Sequence, residues 1–484
     1  MAGNRITLAI LLLLCGSAYG QDKWDLVRCV DFALKNNISV KQTDVQSRFS
    51  ALAYQQSKAA KLPTLNFSSS VGYRLGRSEN PTTGVLEDNT LFNLGMQVQS
   101  GVTIFNWFSQ KNTIEANRLS WEADKEQIKK VQNDVALNVA VAYLQILLAR
   151  EQINLARIQI EQTGAQLANT RKRVDAGVLP ELNAAELEAQ LSRDSSTFVS
   201  AEATAAQMLL QMKALLNLDA GVPFDVLTPP VDNIPVIPLA ELQPEAVYIS
   251  AISILPQQKV NNLKLESAAK SVAAAKGAMY PTISAFGGLN ASAISFRKKP
   301  IYDQVFTGYA FSGARANAGG GVYYQVEVPQ FQQGTTVLRY IRSGSLLTQL
   351  RNNFGQNFGI GISVPISNGR AARTAWDRSK LVVQQLQLEK ESADMQLKQD
   401  IYKAYNDATA ALQKFNADSK SVQTAEKAYD YASKRYALNL LSTYDLITSQ
   451  NNVQKAKVQL LYSRYDYVFK MKLLEFYRGQ GLKL

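Results

Sequence analysis

The chain has 484 residues, no histidine, two cysteines and a formal charge of +12. Without histidine there is no imidazole acid–base catalysis, no histidine triad and none of the commonest metal ligand, so neither an enzyme nor a cofactor or metal is expected. The positive charge is spread along helical stretches. It lacks the dense basic runs with interleaved aromatics that mark nucleic-acid binding, so no nucleic acid is expected as a partner.

Residues 1–20 carry Arg5, a short apolar run Ile6–Leu14 and then Ala18-Tyr19-Gly20. This is the pattern of a secretory signal removed on export. Leu14 is larger than the residue that normally precedes a lipidated cysteine, so Cys15 is expected to leave with the signal. Cys29 then remains alone, and one cysteine makes no internal disulfide. No other segment reaches about 18 consecutive apolar residues, so no transmembrane helix is expected.

After a first helix, residues 62–74 alternate with period two. Leu65, Phe67, Val71 and Tyr73 face one way, and Thr64, Asn66, Ser68, Ser70 and Arg74 the other. Residues 74–90 read as a turn. In 92–104, Phe92, Leu94, Met96, Val98, Val102 and Ile104 share a side against Asn93, Gln97, Gln99 and Thr103. Trp107 and Phe108 follow, as interfacial aromatics or as packing residues. Residues 106–163 contain neither Gly nor Pro; as a helix they would run about 87 Å. The stretch RVDAGVLPELNAAE (173–186) breaks the pattern, after which a second helix follows. Gly177 can adopt the left-handed conformation that ends a helix, and Pro180 can begin the next.

Six prolines within 221–246 exclude a continuous helix there, and the segment reads as an extended linker. A further helix leads to 283–293, where Ile283, Ala285, Leu289, Ala291 and Ala293 share one side. Residues 294–350 are rich in Tyr and Gly. They read as a surface loop, as short added strands, or as a segment folded inward over a mouth. In 354–366 the apolar side is Phe354, Phe358, Ile360, Ile362, Val364 and Ile366. Residues 370–478 again lack Gly and Pro, and RYALNLLSTYDLIT (435–448) breaks the pattern a second time. Here Asn439 stands where Gly177 stood, and Ser442 with Asp445 resembles a capping box. Gly319-Gly320-Gly321 lacks the strand–helix setting of a phosphate loop.

The segments repeat in order. KLPTLNFSSSVGY (61–73) matches MYPTISAFGGLNA (279–291), with Pro63 and Pro281 218 positions apart, and SGVTIFNWFSQKNTIEANRL (100–119) matches ISVPISNGRAARTAWDRSKL (362–381) at 262. The second copy therefore carries about 44 additional residues between its two strands. The expected organisation is a first repeat over 21–220 with a β-hairpin 62–104 and a helical hairpin turning near 177. The linker 221–246 follows, then a second repeat over 247–484 with a hairpin 281–366, a long loop and a helical hairpin turning near 439.

Each alternating segment suits a tilted membrane strand of roughly 9–11 residues. Four strands cannot close a barrel, and lipid does not tolerate an open sheet edge. Several chains must then combine. The competing reading is a secreted structural coiled-coil protein whose strands form a soluble sheet.

These two ordered copies resemble the TolC-type outer-membrane efflux proteins over nearly all of the mature chain. The resemblance implies a mixed α/β membrane protein: a homotrimer in which four strands per chain build a twelve-stranded transmembrane β-barrel, continued by a long periplasmic α-helical barrel. It implies a passive outer-membrane conduit of a multipart efflux or type I secretion system. The partners would be a periplasmic adaptor, an inner-membrane pump of resistance-nodulation-division or ABC type, and outer-membrane lipid. Gly177-Val178-Leu179 and Asn439-Leu440-Leu441 match the family's periplasmic tip motifs for adaptor docking, with Arg173 and Arg435 as supports or as plain helix-turn residues. Asp445 matches the first acidic position of the family's closed aperture, or serves only as a cap. Thr448 occupies the second acidic position, which puts tight cation block in doubt. Leu441 stands where some members carry a basic residue.

Overall fold

A computed structural model describes residues 23–79, 86–228, 237–296, 299–341 and 343–479. The expected signal 1–20, with Cys15, lies outside the described residues. The elements in chain order are α1 (Leu26–Asn36), α2 (Ile38–Ala59), β1 (Thr64–Glu79), β2 (Leu86–Phe105), α3 (Ser109–Asp175), α4 (Glu181–Leu216), α5 (Pro244–Ile254), α6 (Pro256–Gly277), β3 (Thr282–Phe296), β4 (Lys299–Asn317), β5 (Tyr323–Ile341), α7 (Leu346–Asn352), β6 (Gly355–Ser363), α8 (Ala371–Ala437) and α9 (Thr443–Tyr477).

The duplication is written into these boundaries. α1 and α5, α2 and α6, and the starts of β1 and β3 are each 218 positions apart, and α3 and α8 are 262 apart. Left-handed backbone recurs at the second spacing: Trp107 with Gly369, Phe108 with Arg370, Gly177 with Asn439 and Asn217 with Gly479. The chain therefore leaves a strand, reverses at a helical turn and ends a hairpin by the same backbone moves in both copies.

Two compact units result. A helical unit lies within Met1–Gln56, Asn112–Ala273 and Ala375–Leu484, and a β unit comprises Ser57–Lys111 and Ala274–Thr374. Each draws on both repeats, so the repeats do not fold as two separate bodies.

The helical unit holds two clusters that are copies of one another. The first buries Cys29, Ala33, Val139, Ala142, Ile146 and Met212. The second buries their counterparts Val247, Ala251, Ile401, Ala404, Ala408 and Leu474. Small residues at these positions let long helices approach closely, and continuous packing sustains helices far longer than isolated propensity would allow. Cys29 is thus a packing residue whose twin is valine, and burial pushes its thiol up to about 12. α3 contains a window apolar enough by composition to span a bilayer. Its Val139, Tyr143, Ile146 and Leu147 are instead buried in the first cluster.

The described ends of the Pro-rich segment, 221–228 and 237–246, are held by hydrogen bonds; residues 229–236 lie outside the described residues. Trp24 N–H donates to Asp225 O at 3.0 Å and Leu227 N–H to Trp24 O at 2.9 Å. The Tyr143 hydroxyl donates to Leu227 O at 2.6 Å, and Arg150 pairs with Asp225. Extended backbone outside a sheet must find such partners. Farther on, the buried pair Lys472 Nζ–Glu475 Oε2 at 2.9 Å frees Glu475 Oε1 to accept Ile237 N–H at 3.0 Å. The helical pattern resumes at Pro244, before the expected linker ends.

The β unit contains one antiparallel sheet in the order β1-β2-β3-β6 and a separate β4-β5 ribbon. Register places Phe67 opposite Val98, Val71 opposite Leu94, Leu289 opposite Gln356 and Ile283 opposite Ile362. The alternating apolar sides of all four strands therefore share one face, and it is exposed: Phe358 is 88% and Ile360 71% accessible. The segments expected as loops differ. Residues 74–90 largely continue β1 and β2, with Arg74 opposite Leu91 and Arg77 opposite Asp88, because a backbone ladder needs no apolar side chains to persist. Of the readings open for 294–350, added strands are what forms, and they are long rather than short: β4 and β5, followed by α7.

β6 stops pairing at Gly355, opposite Asn290. Beyond it, the Gln349 side-chain amide accepts Ile294 N–H and donates to Ile294 O, both at 2.9 Å, and Asn353 Nδ2 donates to Ser292 O at 2.8 Å. α7 thereby satisfies the edge of β3 where no strand follows.

Replacing Lys472 by Met strands the Glu475 carboxylate in a buried site, a loss of about 3 kcal/mol or more. Thermal melts followed by circular dichroism should show Lys472→Met melting well below wild type, with Lys472→Met/Glu475→Met recovering part of the difference.

Candidate functional site

The two helical reversals are built alike. At the end of α3, Gly177 N–H donates to Val174 O at 2.8 Å and Val178 N–H to Arg173 O at 2.9 Å. At the end of α8, Asn439 N–H donates to Tyr436 O at 3.0 Å and Leu440 N–H to Arg435 O at 2.9 Å. This is the Schellman arrangement, which requires a left-handed residue after the helix. Gly177 has φ +71° and Asn439 φ +60°. Asparagine tolerates this region better than other residues with a Cβ, which explains how it stands in for glycine.

The restarts differ. Pro180 occupies the N-cap of α4 without a side-chain bond. Ser442 caps α9: its hydroxyl accepts Asp445 N–H at 3.1 Å and donates to the Asp445 carboxylate at 2.7 Å. Asp445 is therefore part of a cap and also an exposed carboxylate in the first turn, where the helix dipole favours it. Thr448, one turn on, is exposed, and its hydroxyl is turned back to Tyr444 O at 2.8 Å. Val178 and Leu440 are exposed, whereas Leu179 and Leu441 are half-buried. Two apolar side chains are thus presented at the ends of polar helices.

The arginines part ways. Arg435 is exposed, and its guanidinium reaches Leu440 O of its own turn at 3.4 Å. Arg173 is half-buried and lies 5.8 Å from the Tyr436 ring of the other helical hairpin. Arg173 belongs to a seam that sequence reasoning missed. The Tyr436 hydroxyl lies 3.0 Å from Thr170 Oγ1 and accepts from Thr443 at 3.4 Å, and Gln166 Nε2 donates to the Tyr429 hydroxyl at 2.5 Å. Farther from the turns, Thr163 donates to the buried Asp194 at 2.7 Å, Gln190 donates to the same carboxylate at 2.7 Å, and Gln450 donates to Thr163 at 3.1 Å. Asn451 exchanges bonds with Gln190 across the same seam. These contacts join α3 and α4 to α8 and α9 by hydrogen bonds, beside a small apolar cluster of Leu167, Ala184, Leu187 and Ile447. Buried and mutually satisfied, such bonds specify one register between the helices. A period-two or helical pattern does not reveal them, since each partner lies more than 200 positions away or in a neighbouring helix.

Residues 30–218 match the family described as outer membrane efflux protein. Outer membrane efflux protein BepC of Brucella suis biovar 1 (strain 1330) is 20% identical over 438 residues, covering 90% of this chain and 81% of that protein. Among solved structures, CusC superposes with a TM-score of 0.74 at 16% identity, covering 95% of this chain and 92% of CusC. The Campylobacter jejuni CmeC outer membrane channel gives 0.70 at 17% identity, covering 95% and 86%.

Ser442→Ala should remove about 1 kcal/mol from the first turn of α9. Hydrogen exchange should then quicken at Asp445 and Leu446 and stay unchanged in α4. Asn439→Gly should be neutral or mildly stabilising, and Asn439→Val should cost about 1–2 kcal/mol by forcing a β-branched residue into left-handed backbone.

Proposed function

We infer that this chain, TolC-like in fold and matched to the outer membrane efflux proteins over residues 30–218, is an outer-membrane efflux channel that works as a trimer. The carrying observation is the four-stranded sheet, ordered β1-β2-β3-β6, with one face apolar and exposed. A sheet wet on one side and oily on the other suits lipid, but its edges β1 and β6 do not. Three copies supply twelve strands and pair each β6 with the next β1, which closes the wall. The reading as a secreted coiled-coil protein would need that apolar face covered within the chain; Phe358 and Ile360 lie bare.

In this reading the helices of three copies line a periplasmic tube, and the conduit is passive. The turns at Gly177-Val178-Leu179 and Asn439-Leu440-Leu441 meet a periplasmic adaptor. Their exposed Val178 and Leu440 offer small apolar knobs on a polar surface. Arg435 stiffens its own turn, while Arg173 acts through Tyr436 on the seam between hairpins. The pump that feeds the conduit is an inner-membrane transporter of resistance-nodulation-division or ABC type. Three-fold symmetry brings three Asp445 carboxylates together into a ring that attracts cations and retards anions. With Thr448 beside it instead of a second acid, the ring holds one tier of charge.

Light scattering in detergent should give the mass of three chains. A detergent-free monomer would refute the reading. In planar bilayers, Asp445→Asn, which keeps the Ser442 hydrogen bond and removes the charge, should weaken block by divalent cations, and Asp445→Ala should do the same. Unchanged block in both would leave Asp445 as a cap alone.

A further inference from the structure

The insertion that distinguishes the second repeat is a long ribbon. β4 and β5 pair from Lys299–Ile341 to Asn317–Tyr323. The ribbon springs from the end of β3 that pairs with Leu91, the end where β1 and β2 connect and away from the strand ends that run into helices. Direct partners share a face, so register assigns the side chains. Phe306 lies opposite Phe331, Tyr309 opposite Pro329, Phe311 opposite Glu327, and Asn317 opposite Tyr323. One face thus collects five aromatics. Phe306 packs edge-to-face with Tyr309 at 5.2 Å and with Phe331 at 5.8 Å. The cluster is nevertheless open: Tyr309 is 68%, Phe311 63% and Phe331 54% exposed.

We propose that this aromatic face is a second contact between copies of the chain, packing three ribbons against one another over the outer mouth of the channel. The proposal rests on the trimer reading above. A lone two-stranded ribbon is marginal in water. Five rings, each exposed by about half or more, offer roughly 500 Å² of apolar surface, most of the roughly 800 Å² that each partner contributes to a stable interface. The edges do not invite a strand: Pro300 and Pro329 remove donors, and the register shifts near Tyr302, Phe306 and Phe311 break the ladder. A partner must therefore meet the face.

The occupant is another copy for two reasons. The ribbon is spliced between β3 and β6, and β6 is the edge that must meet the neighbouring chain. The face also carries Arg315 and Glu327, opposite in sign and both exposed. A rotational contact lets Arg315 of one copy meet Glu327 of the next, so the surface complements itself.

The test places a photoreactive p-benzoylphenylalanine at Phe331 and, as a control, at Val305 on the opposite face. The full chain is irradiated in outer membranes and then sized in detergent by light scattering. The expected result is a trimer whose Phe331 variant yields covalent chain–chain adducts several-fold above the Val305 variant. A trimer without such adducts, or with adducts to lipopolysaccharide in their place, overturns the inference and leaves the trimer reading intact. A monomer overturns both. Arg315→Glu should lower adduct yield at Phe331, and adding Glu327→Arg should restore it; an unchanged yield in the single variant also counts against the contact.

Discussion

The structure depends on the unpaired backbone groups along two sheet edges. β1 presents sixteen residues and β6 nine, and among the described residues neither has a partner strand on its outer side. In water such edges could be solvated. With the face bearing Phe67, Val71, Phe358 and Ile360 set in lipid, as proposed, they would sit where water is poorest, and each orphaned group there would cost several kcal/mol. Side-chain caps solve such a problem only locally, as Gln349 does for Ile294 of β3 beyond the end of β6. The rest of the edge calls for another backbone.

Duplication sets how the helices serve that sheet. The same turn geometry at Gly177 and Asn439 and the same packing positions in two clusters give one protomer two near-equivalent helical hairpins. Near-equivalent hairpins can line a tube with little distortion. They differ where function would break the symmetry. α9 begins with a charged cap at Ser442 and Asp445, and α4 with a bare Pro180. The polar seam where Tyr436 meets Thr170 and Gln450 meets Thr163 is a buried joint of hydrogen bonds between hairpins.

Much of this was legible in the residues. Alternation located the four strands of the main sheet because one buried or lipid-facing side imposes period two. Glycine and asparagine marked the reversals because left-handed backbone admits few residue types. The ribbon was harder to see: Gly308 and Gly313 at positive φ and the register shifts of β4 interrupt its alternation, so its period fades in sequence. Residues 74–90 looked like a turn because Arg77, Glu79 and Asp88 end the apolar run, although the ladder continues past it. Gln349 imitating a strand and Tyr436 bridging hairpins have no local signature at all. The spacing of 218 could have exposed Cys29 as a packing residue, since it aligns with Val247.

The most direct test joins the two edges covalently. In a Cys29→Val background, single cysteines on β1 (Asn66, Ser68 or Ser70) are combined with single cysteines on β6 (Asn357, Gly359 or Gly361) and oxidised in the membrane. Within one chain β2 and β3 separate these strands, so a disulfide between them must join neighbours. At least one register should give a ladder ending at three linked chains on a non-reducing gel, collapsing to one band on reduction. Monomers alone in every register would contradict the closure on which the account stands.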